Sequence, residues 1–290
     1  MNHYPKKIAI ASGKGGTGKT TVAVNLHHVI KKYLDAGALL VDCDVEEPND
    51  ALFFPASVPG RVIPITQPVP KIDLQKCNFC RACTDYCEFN AITIIPPLRH
   101  AEISADLCHS CGACLHACNV GAITEYPFEI GKFTKFHEEN LVEGNLHVGL
   151  AQQTPVIRQV KKLTAPHRGI VIYDAPPGTS CPLVTTVSDV DFVILVAEPT
   201  PFGLHDFRLT ATLMQEMEKP FGVVINKDHQ DYSDLDRYIM NEGIEILGRI
   251  PFSREVAAQY SANCLLCESS GGYEQYMIYI VNSLFKIQVT

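Results

Sequence analysis

The sequence is short of positive charge: 24 lysines and arginines stand against 32 acids, a formal net charge of −8 over 290 residues. Its basic residues come in pairs (Lys6 and Lys7, Lys31 and Lys32, Lys161 and Lys162) rather than stripes, so the electrostatic footprint of a nucleic-acid binder is missing. No apolar run is long enough to span a membrane, although 46% of the residues are hydrophobic. The chain therefore reads as soluble and globular, with one large domain and a small one. No apolar export segment precedes the first strand-like run, which starts by residue 6, and a cytoplasmic location is expected. That compartment keeps thiols reduced, so the 12 cysteines point to metal or cluster ligation rather than disulfides.

Seven short, continuous apolar runs recur before residue 70 and after about 145: KKIAIAS, ALLVDCD, LHVGLA, GIVIYDAP, FVILVAE, FGVVIN and IEILGRIP. Strands without polar alternation, spaced by helix-length segments, predict a doubly wound, mostly parallel α/β sheet covered on both faces. Ligands of such sheets gather at the carboxyl ends of the strands.

Residues 71–126 break the rhythm. CNFCRACTDYCEFNAIT at 77–93 matches CHSCGACLHACNVGAIT at 108–124 with every cysteine in register. This duplicated module divides the large domain into 1–70 and 127–290. VIPITQPVPKID, at 62–73, reads as a linker leading into the module, and 127–145 as a hairpin or lid leading out. Each half has the spacing C-x2-C-x2-C-x3-C of bacterial two-cluster ferredoxins, in which the fourth cysteine serves the other cluster. Cys77, Cys80, Cys83 and Cys118 are thus expected to hold one [4Fe-4S] cluster, and Cys87, Cys108, Cys111 and Cys114 a second. Paired zinc sites are the alternative, although zinc sites usually use two CxxC pairs. Proline does not follow either fourth cysteine; Glu88 and Asn119 stand there instead, which puts the local turn in doubt.

Residues 9–21, AIASGKGGTGKTT, satisfy the phosphate-loop pattern G-x-x-x-x-G-K-S/T with Gly13, Gly18, Lys19 and Thr20. Backbone N–H groups of such a loop curl round a polyphosphate, the lysine reaches the β and γ phosphates, and the threonine ligates Mg2+. Nothing in that pattern asks for Lys14. The stretch SGKGGTGKT resembles the deviant phosphate loop of the MinD, ParA, Mrp and nitrogenase iron-protein class of ATPases. The resemblance extends over essentially the whole chain, to MinD-superfamily ATPases carrying an inserted ferredoxin domain. It implies ATP and Mg2+ as ligands and contacts from Gly13, Lys14, Gly15, Gly16, Thr17, Gly18, Lys19, Thr20 and Thr21. It further implies that Lys14 crosses a dimer interface to the partner's nucleotide, as an arginine finger does; a solvated loop lysine is the alternative.

In LLVDCDVEEPN, the resemblance places Asp42 near Mg2+ and has Asp44 orient the attacking water, with capping or turn acids as the alternative. Asp174, in VIYDAPPGTSC, corresponds to an acid reaching Mg2+ through water at the head of a switch segment. Asn226, Pro251 and Phe252 lie where the class contacts adenine. Lys14, Lys19, Asp44 and Asp174 are accordingly the expected catalytic set.

Four cysteines remain. Cys181 has the spacing from Asp174 of a switch cysteine that ligates a shared cluster in nitrogenase iron protein; a small buried residue is the plainer reading. Cys264 and Cys267 form a CxxC that a symmetric dimer could complete into a bridging site, or are incidental thiols. Cys43 is expected in the core, as is the final helix, with Met277, Ile280, Val281 and Leu284 at helical spacing and only Lys286 as a basic residue.

The function expected from these parts is an ATP-hydrolysing iron-sulfur protein that couples dimer switching to low-potential electron transfer toward a partner metalloenzyme. The alternative is an ATP-dependent cluster scaffold or carrier acting on a cluster-accepting protein. A positioning ATPase comes third, lacking both basic patch and membrane helix. The dimer would be of identical or closely related chains, with neither nucleic acid nor membrane as partner.

Overall fold

The computed structural model describes residues 5–34, 37–136, 140–229, 232–268 and 272–288. The chain runs β1 (Lys7–Ala11), α1 (Lys19–Tyr33), β2 (Ala38–Asp42), β3 (Pro59–Ile72), α2 (Ala82–Asp85), β4 (Ile92–Ile95), β5 (His100–Ile103), α3 (Ala113–Ala117), β6 (Ile123–Phe136) and β7 (Leu141–Leu146). It continues through α4 (Gln153–Thr164), β8 (Ile170–Asp174), α5 (Cys181–Val187), β9 (Phe192–Ala197), α6 (Pro201–Glu216), β10 (Phe221–Asp228), α7 (Asp234–Asn241), β11 (Ile246–Pro251), α8 (Arg254–Ser261) and α9 (Tyr273–Phe285).

Nine strands form one sheet in the order β11-β10-β9-β1-β8-β2-β7-β6-β3. From β11 to β7 every neighbouring pair is parallel; β6 and β3 are antiparallel additions at one edge. The apolar runs lack alternation because both faces are covered. Ile8, Ile10, Leu40, Ile170, Ile172 and Ile194 join α1 and α9 in one core. Their chain neighbours Ala9, Ala11, Leu39, Val41, Val171 and Val193 join α4, α5, α6 and α7 in the other, as the two-residue period of a strand requires. The final helix buries Met277, Ile280, Val281 and Leu284 in the first core. Among the described residues, no helix is long and apolar enough to cross a membrane.

Two sequence expectations are corrected. The run LHVGLA is not a strand; the strand lies upstream, at Leu141–Leu146, and Val148 is fully exposed. The strand was hidden because its sequence, LVEGNL, carries Glu143, Gly144 and Asn145. Gly144 is required there: a Cβ would stand 2.7 Å from Val160 and 2.9 Å from Val45. Nor is VIPITQPVPKID a linker. It is most of β3, paired along its length with β6 from Pro59 opposite Phe136 to Ile72 opposite Ile123. Its prolines are tolerated because β3 is the edge strand, with no further ladder for them to break. The expected hairpin leading out is formed by β6 and β7.

At the far end of the β3–β6 ribbon, residues 73–122 pack with the ribbon's own residues into small hydrophobic clusters, built on Phe79, Ile92, Ile94 and Ile123 and on Val69 and Ala91. Their sheet is the β4–β5 pair.

Candidate functional site

The loop between β1 and α1 takes positive φ at Gly16 (77°) and Gly18 (96°), conformations that cost glycine little. Gly18 caps α1 without offering a side chain, so the first N–H groups of the helix stay open to an anion. Two glycines are also steric requirements. A Cβ on Gly13 would lie 2.3 Å from the carbonyl oxygen of Asp206, and one on Gly18 2.1 Å from Nδ2 of Asn226.

A cavity of about 430 Å3 opens beside this loop, lined by Gly15, Gly16, Gly18, Lys19, Thr20, Thr21, Asp44, Asn226, Pro251 and Phe252. Five other residues predicted for the site do not line it, each for a visible reason. Gly13 is pressed against Asp206. Thr17 is buried, its carbonyl accepting a 2.7 Å bond from Nδ2 of Asn226, so Asn226 clamps the loop as well as facing the cavity. Asp174 stands behind Thr20, whose Oγ1 donates to its Oδ2 at 2.7 Å. Asp42 is fully buried and accepts backbone N–H bonds from Asp44 (2.9 Å), Asn49 (2.8 Å) and Asp50 (3.1 Å). It folds the loop that carries Asp44 rather than facing the cavity.

Lys14 turns away to Glu198, with Nζ 2.5 Å from Oε1. Glu198 also pairs with Lys227 at 3.3 Å, and Lys227 donates to the carbonyl of Gly16 at 2.7 Å. Burial alone would raise the Glu198 carboxyl, but the bond from Lys14 and the charge of Lys227 outweigh it and hold the group below its ordinary value.

Asp44, at the cavity wall, is pushed up to about 6, chiefly by burial and against the pull of Lys19. It therefore titrates near neutrality, where a group that orients or accepts from water is most responsive.

Sequence reasoning passed over Asp50, Glu198, Lys227 and Tyr260. Tyr260 and Lys227 line the cavity, and no local motif marks them. Asp50 is fully buried, and neither of its carboxyl oxygens meets a donor among the described residues. Burial first, then the charges of Asp42 and Asp174, raise it well above its ordinary value, and it lies close enough to Asp174 to share a hydrogen bond. Two carboxyls can share that bond only if one keeps its proton.

The sign of the resulting pH dependence follows. A carboxyl raised in the folded state contributes stability at and below its unfolded value, which is lost as pH rises toward the folded value. An Asp50→Asn chain keeps a donor toward Asp174 without needing a proton. In protein free of Mg2+ and nucleotide, its melting temperature is expected to exceed that of the parent by a margin that widens from pH 5 to pH 8. A constant margin in thermal melts would contradict the shared proton.

In residues 73–122 the sequence repeat is also a backbone repeat. Positive φ occurs at Phe79 (58°) and Ser110 (54°), at Arg81 (70°) and Gly112 (72°), and at Asn90 (52°) and Gly121 (62°). Left-handed backbone is costly for residues with a Cβ, and here it turns N–H groups toward sulfur: Phe79 to Cys77 at 3.4 Å, Ser110 to Cys108 at 3.4 Å and Ala122 to Cys118 at 3.3 Å.

The eight thiols line two pockets, four to each. Cys77, Cys80, Cys83 and Cys118 line one; Cys87, Cys108, Cys111 and Cys114 line the other. The crossing of Cys87 into the second set has a local cause: Phe89 stacks on His109 with centroids 3.9 Å apart, tying the loop after Cys87 to the loop after Cys108. Cys118 is joined to the first set through Ala122, which accepts from Asp73 N–H, while the Asp73 carbonyl accepts from Cys77 N–H. Among the described residues, no group of three or more His, Cys, Asp or Glu is suited to a single metal ion. Four soft thiols with N–H donors aimed at them suit a larger iron-sulfur group. Burial raises the Cys83 and Cys108 thiols and brings Cys114 to about 11, helped by the neighbouring Cys108, so ligation there must displace protons.

The other four cysteines lie in different surroundings. Cys181 is exposed at the first position of α5, not a small buried residue. Cys267 is buried in the first core, its N–H on Asn25 Oδ1 at 2.9 Å and its thiol pushed up to about 12 by burial, while Cys264 is exposed. The pair does not present two thiols to a second chain. Cys43 is fully buried, as expected.

A mostly parallel sheet with a glycine-rich loop between β1 and α1, an acid at the end of β8 and an open cavity above defines a P-loop nucleotide-binding α/β protein. The family described as "CobQ/CobB/MinD/ParA nucleotide binding domain" matches residues 8–265. The chain belongs to that family and is a P-loop ATPase of the MinD/ParA kind. An uncharacterized protein of Methanocaldococcus jannaschii is 34% identical over 267 residues, 91% of each chain. An iron-sulfur cluster carrier protein of Pyrococcus furiosus is 25% identical over 264 residues, 84% of this chain and 73% of the other. Among solved structures, the septum site-determining protein MinD of Pyrococcus horikoshii, complexed with Mg-ADP, superposes with a TM-score of 0.57 at 18% identity, covering 96% of this chain and 95% of that one.

Proposed function

We propose that this ATPase is an ATP-dependent iron-sulfur carrier whose cargo is held on residues 73–122. The observation that carries the reading is the division of eight thiols, four and four, around two pockets, with Cys87 and Cys118 each serving the opposite half. Each set keeps one exposed thiol, Cys80 or Cys111, among better covered ones, an open corner through which an acceptor could draw off the cargo. The iron-sulfur carrier among its relatives supports the same direction. The burial of Cys267 in the core speaks for residues 73–122, rather than the CxxC, as the site of transfer.

On the ATPase side, Lys19 and the N-terminus of α1 would bind the phosphates, Thr20 and Asp174 would hold Mg2+, and Asp44 would orient water. The Mg2+ supplies charge neutralisation of the phosphates when bound. Lys14 would leave Glu198 to reach the nucleotide of a second chain.

A second reading, electron transfer through resident clusters toward a metalloenzyme, is favoured by the burial of Cys83, Cys108 and Cys114. Anaerobic incubation with an apo-ferredoxin acceptor separates the two. The carrier loses iron and sulfide to the acceptor when ATP is hydrolysed; the electron-transfer protein keeps both and shifts in potential.

A further inference from the structure

We propose that the nucleotide state is relayed to only one of the two cysteine sets, that of Cys87, Cys108, Cys111 and Cys114, with α4 as the connecting rod and Gln152 as the positioning residue at its joint. The inference rests on the carrier reading only for what the thiols hold.

Helix α4 is tied at both ends. Toward its C-terminus, Lys161 is buried; its Nζ donates to the carbonyls of Thr185 (3.0 Å) and Thr186, pairs with Asp189, and lies 5.1 Å from the ring of Tyr173. It thus grips the C-terminal end of α5 and touches the residue before Asp174. The other end of α5, Cys181, lies three residues past Gly178 of the Pro-Pro-Gly segment that follows Asp174. Movement of that segment therefore reaches α4 through packed, hydrogen-bonded groups rather than through solvent.

At the N-terminus of α4, Gln152 occupies the capping position yet makes no side-chain cap bond. Its Nε2 reaches instead to the carbonyl of Asp106 at 2.5 Å, two residues before Cys108. Gln67, from β3, donates in the same way to the carbonyl of Cys108 itself at 3.2 Å. Both amides are buried, and both leave an Oε1 without a partner among the described residues. The two amides thus place side-chain donors from α4 and from β3 on the backbone that carries Cys108. Phe128 completes the contact, packing against both the second core and the cluster that contains Cys108.

The set of Cys77, Cys80, Cys83 and Cys118 has no matching tie. Among the described residues, its hydrogen bonds stay within 73–122; the cluster around it takes in Cys87 and Cys114 of the other set and the strand ends Ile72 and Ile123, but no residue of α4. Spatial continuity alone does not establish coupling; the asymmetry between halves makes it measurable.

The test is hydrogen–deuterium exchange on the iron-loaded full chain with ADP and with a non-hydrolysable ATP analogue. Exchange at 105–114 is expected to change several-fold between the two nucleotides while 77–83 stays the same. Gln152→Leu, which keeps the volume and removes the donor, should abolish the difference at 105–114 while leaving analogue binding intact. Equal responses in both halves, no response in either, or a response that survives Gln152→Leu would overturn the proposal. If that variant fails to load iron or fold, the comparison of halves in the unmodified chain still decides. Failure of the carrier reading shows separately, as iron that never leaves for an acceptor.

Discussion

Replacing Lys14 by alanine is expected to lower ATP turnover by roughly 10^3-fold, the lower end of what a cation delivered to the γ phosphate contributes, while changing nucleotide affinity by less than about threefold, below 1 kcal/mol. The separation follows from where the side chain lies. Lys14 is absent from the cavity wall, and its Nζ is held 2.5 Å from Glu198, so truncating it leaves Lys19, Thr20 and the helix terminus as they are. A residue that contributed uniform binding would raise KM and spare kcat; one acting only in a closed pair of chains lowers kcat. Steady-state kinetics with equilibrium binding of a labelled analogue distinguish the two. An unchanged kcat in Lys14→Ala would leave Lys14 as a partner of Glu198 and nothing more.

Removing iron is expected to unfold residues 73–122 and leave the ATPase body standing. The segment is about the size at which a chain seldom holds itself together without metal, disulfide or partner, and its apolar clusters are small. Its turns hold Phe79, Arg81 and Ser110 in left-handed backbone, at a cost on the order of 1 kcal/mol each. Their return is N–H groups aimed at Cys77 and Cys108, which is worth most when the sulfurs are ligating thiolates. The body has its own two cores on either face of the sheet. After anaerobic chelation, exchange protection should vanish across 73–122 and persist in β1, β8 and β9, with the melting temperature of the body moving by no more than about 2 °C. A metal-free segment that stays protected would show that these turns are stable on packing alone.

The parts of this molecule that were legible in its sequence are those where one local rule governs. Six of the seven apolar runs became strands of the parallel part of the sheet, five of them interior, because a strand buried on both faces has no reason to alternate. The phosphate loop was legible because glycine, lysine and threonine are each required at fixed offsets. The thirty-one-residue repeat foretold the grouping of thiols, and the structure adds its backbone counterpart, the paired φ values from 79/110 to 90/121.

What escaped was decided by distant neighbours. The extent of strand β7 escaped because Gly144 answers to Val160 and Val45, not to strand propensity. Residues 62–73 read as a linker because their prolines are acceptable only at an edge that the sequence does not announce. Asp42, expected near the metal, stands opposite Asp174 in the sheet, and no motif announces that its carboxylate also accepts from the N–H groups of Asp44, Asn49 and Asp50. The CxxC was compatible with a bridging pair or with incidental thiols, and only the fold places its second thiol in the core beside Asn25. Asp50 carried no motif at all, and only its burial against Asp174 marks it.

The central claim is that ATP hydrolysis by this chain releases cargo from the thiols of residues 73–122. Its most direct measurement is anaerobic: iron and acid-labile sulfide per chain, taken before and after incubation with ATP, Mg2+ and an apo-ferredoxin acceptor. About eight irons at the start, as two four-iron groups require, with a fall that depends on hydrolysis and is matched by gain in the acceptor, is the result predicted. Fewer than about eight at the start, or full retention while ATP is consumed, would contradict it.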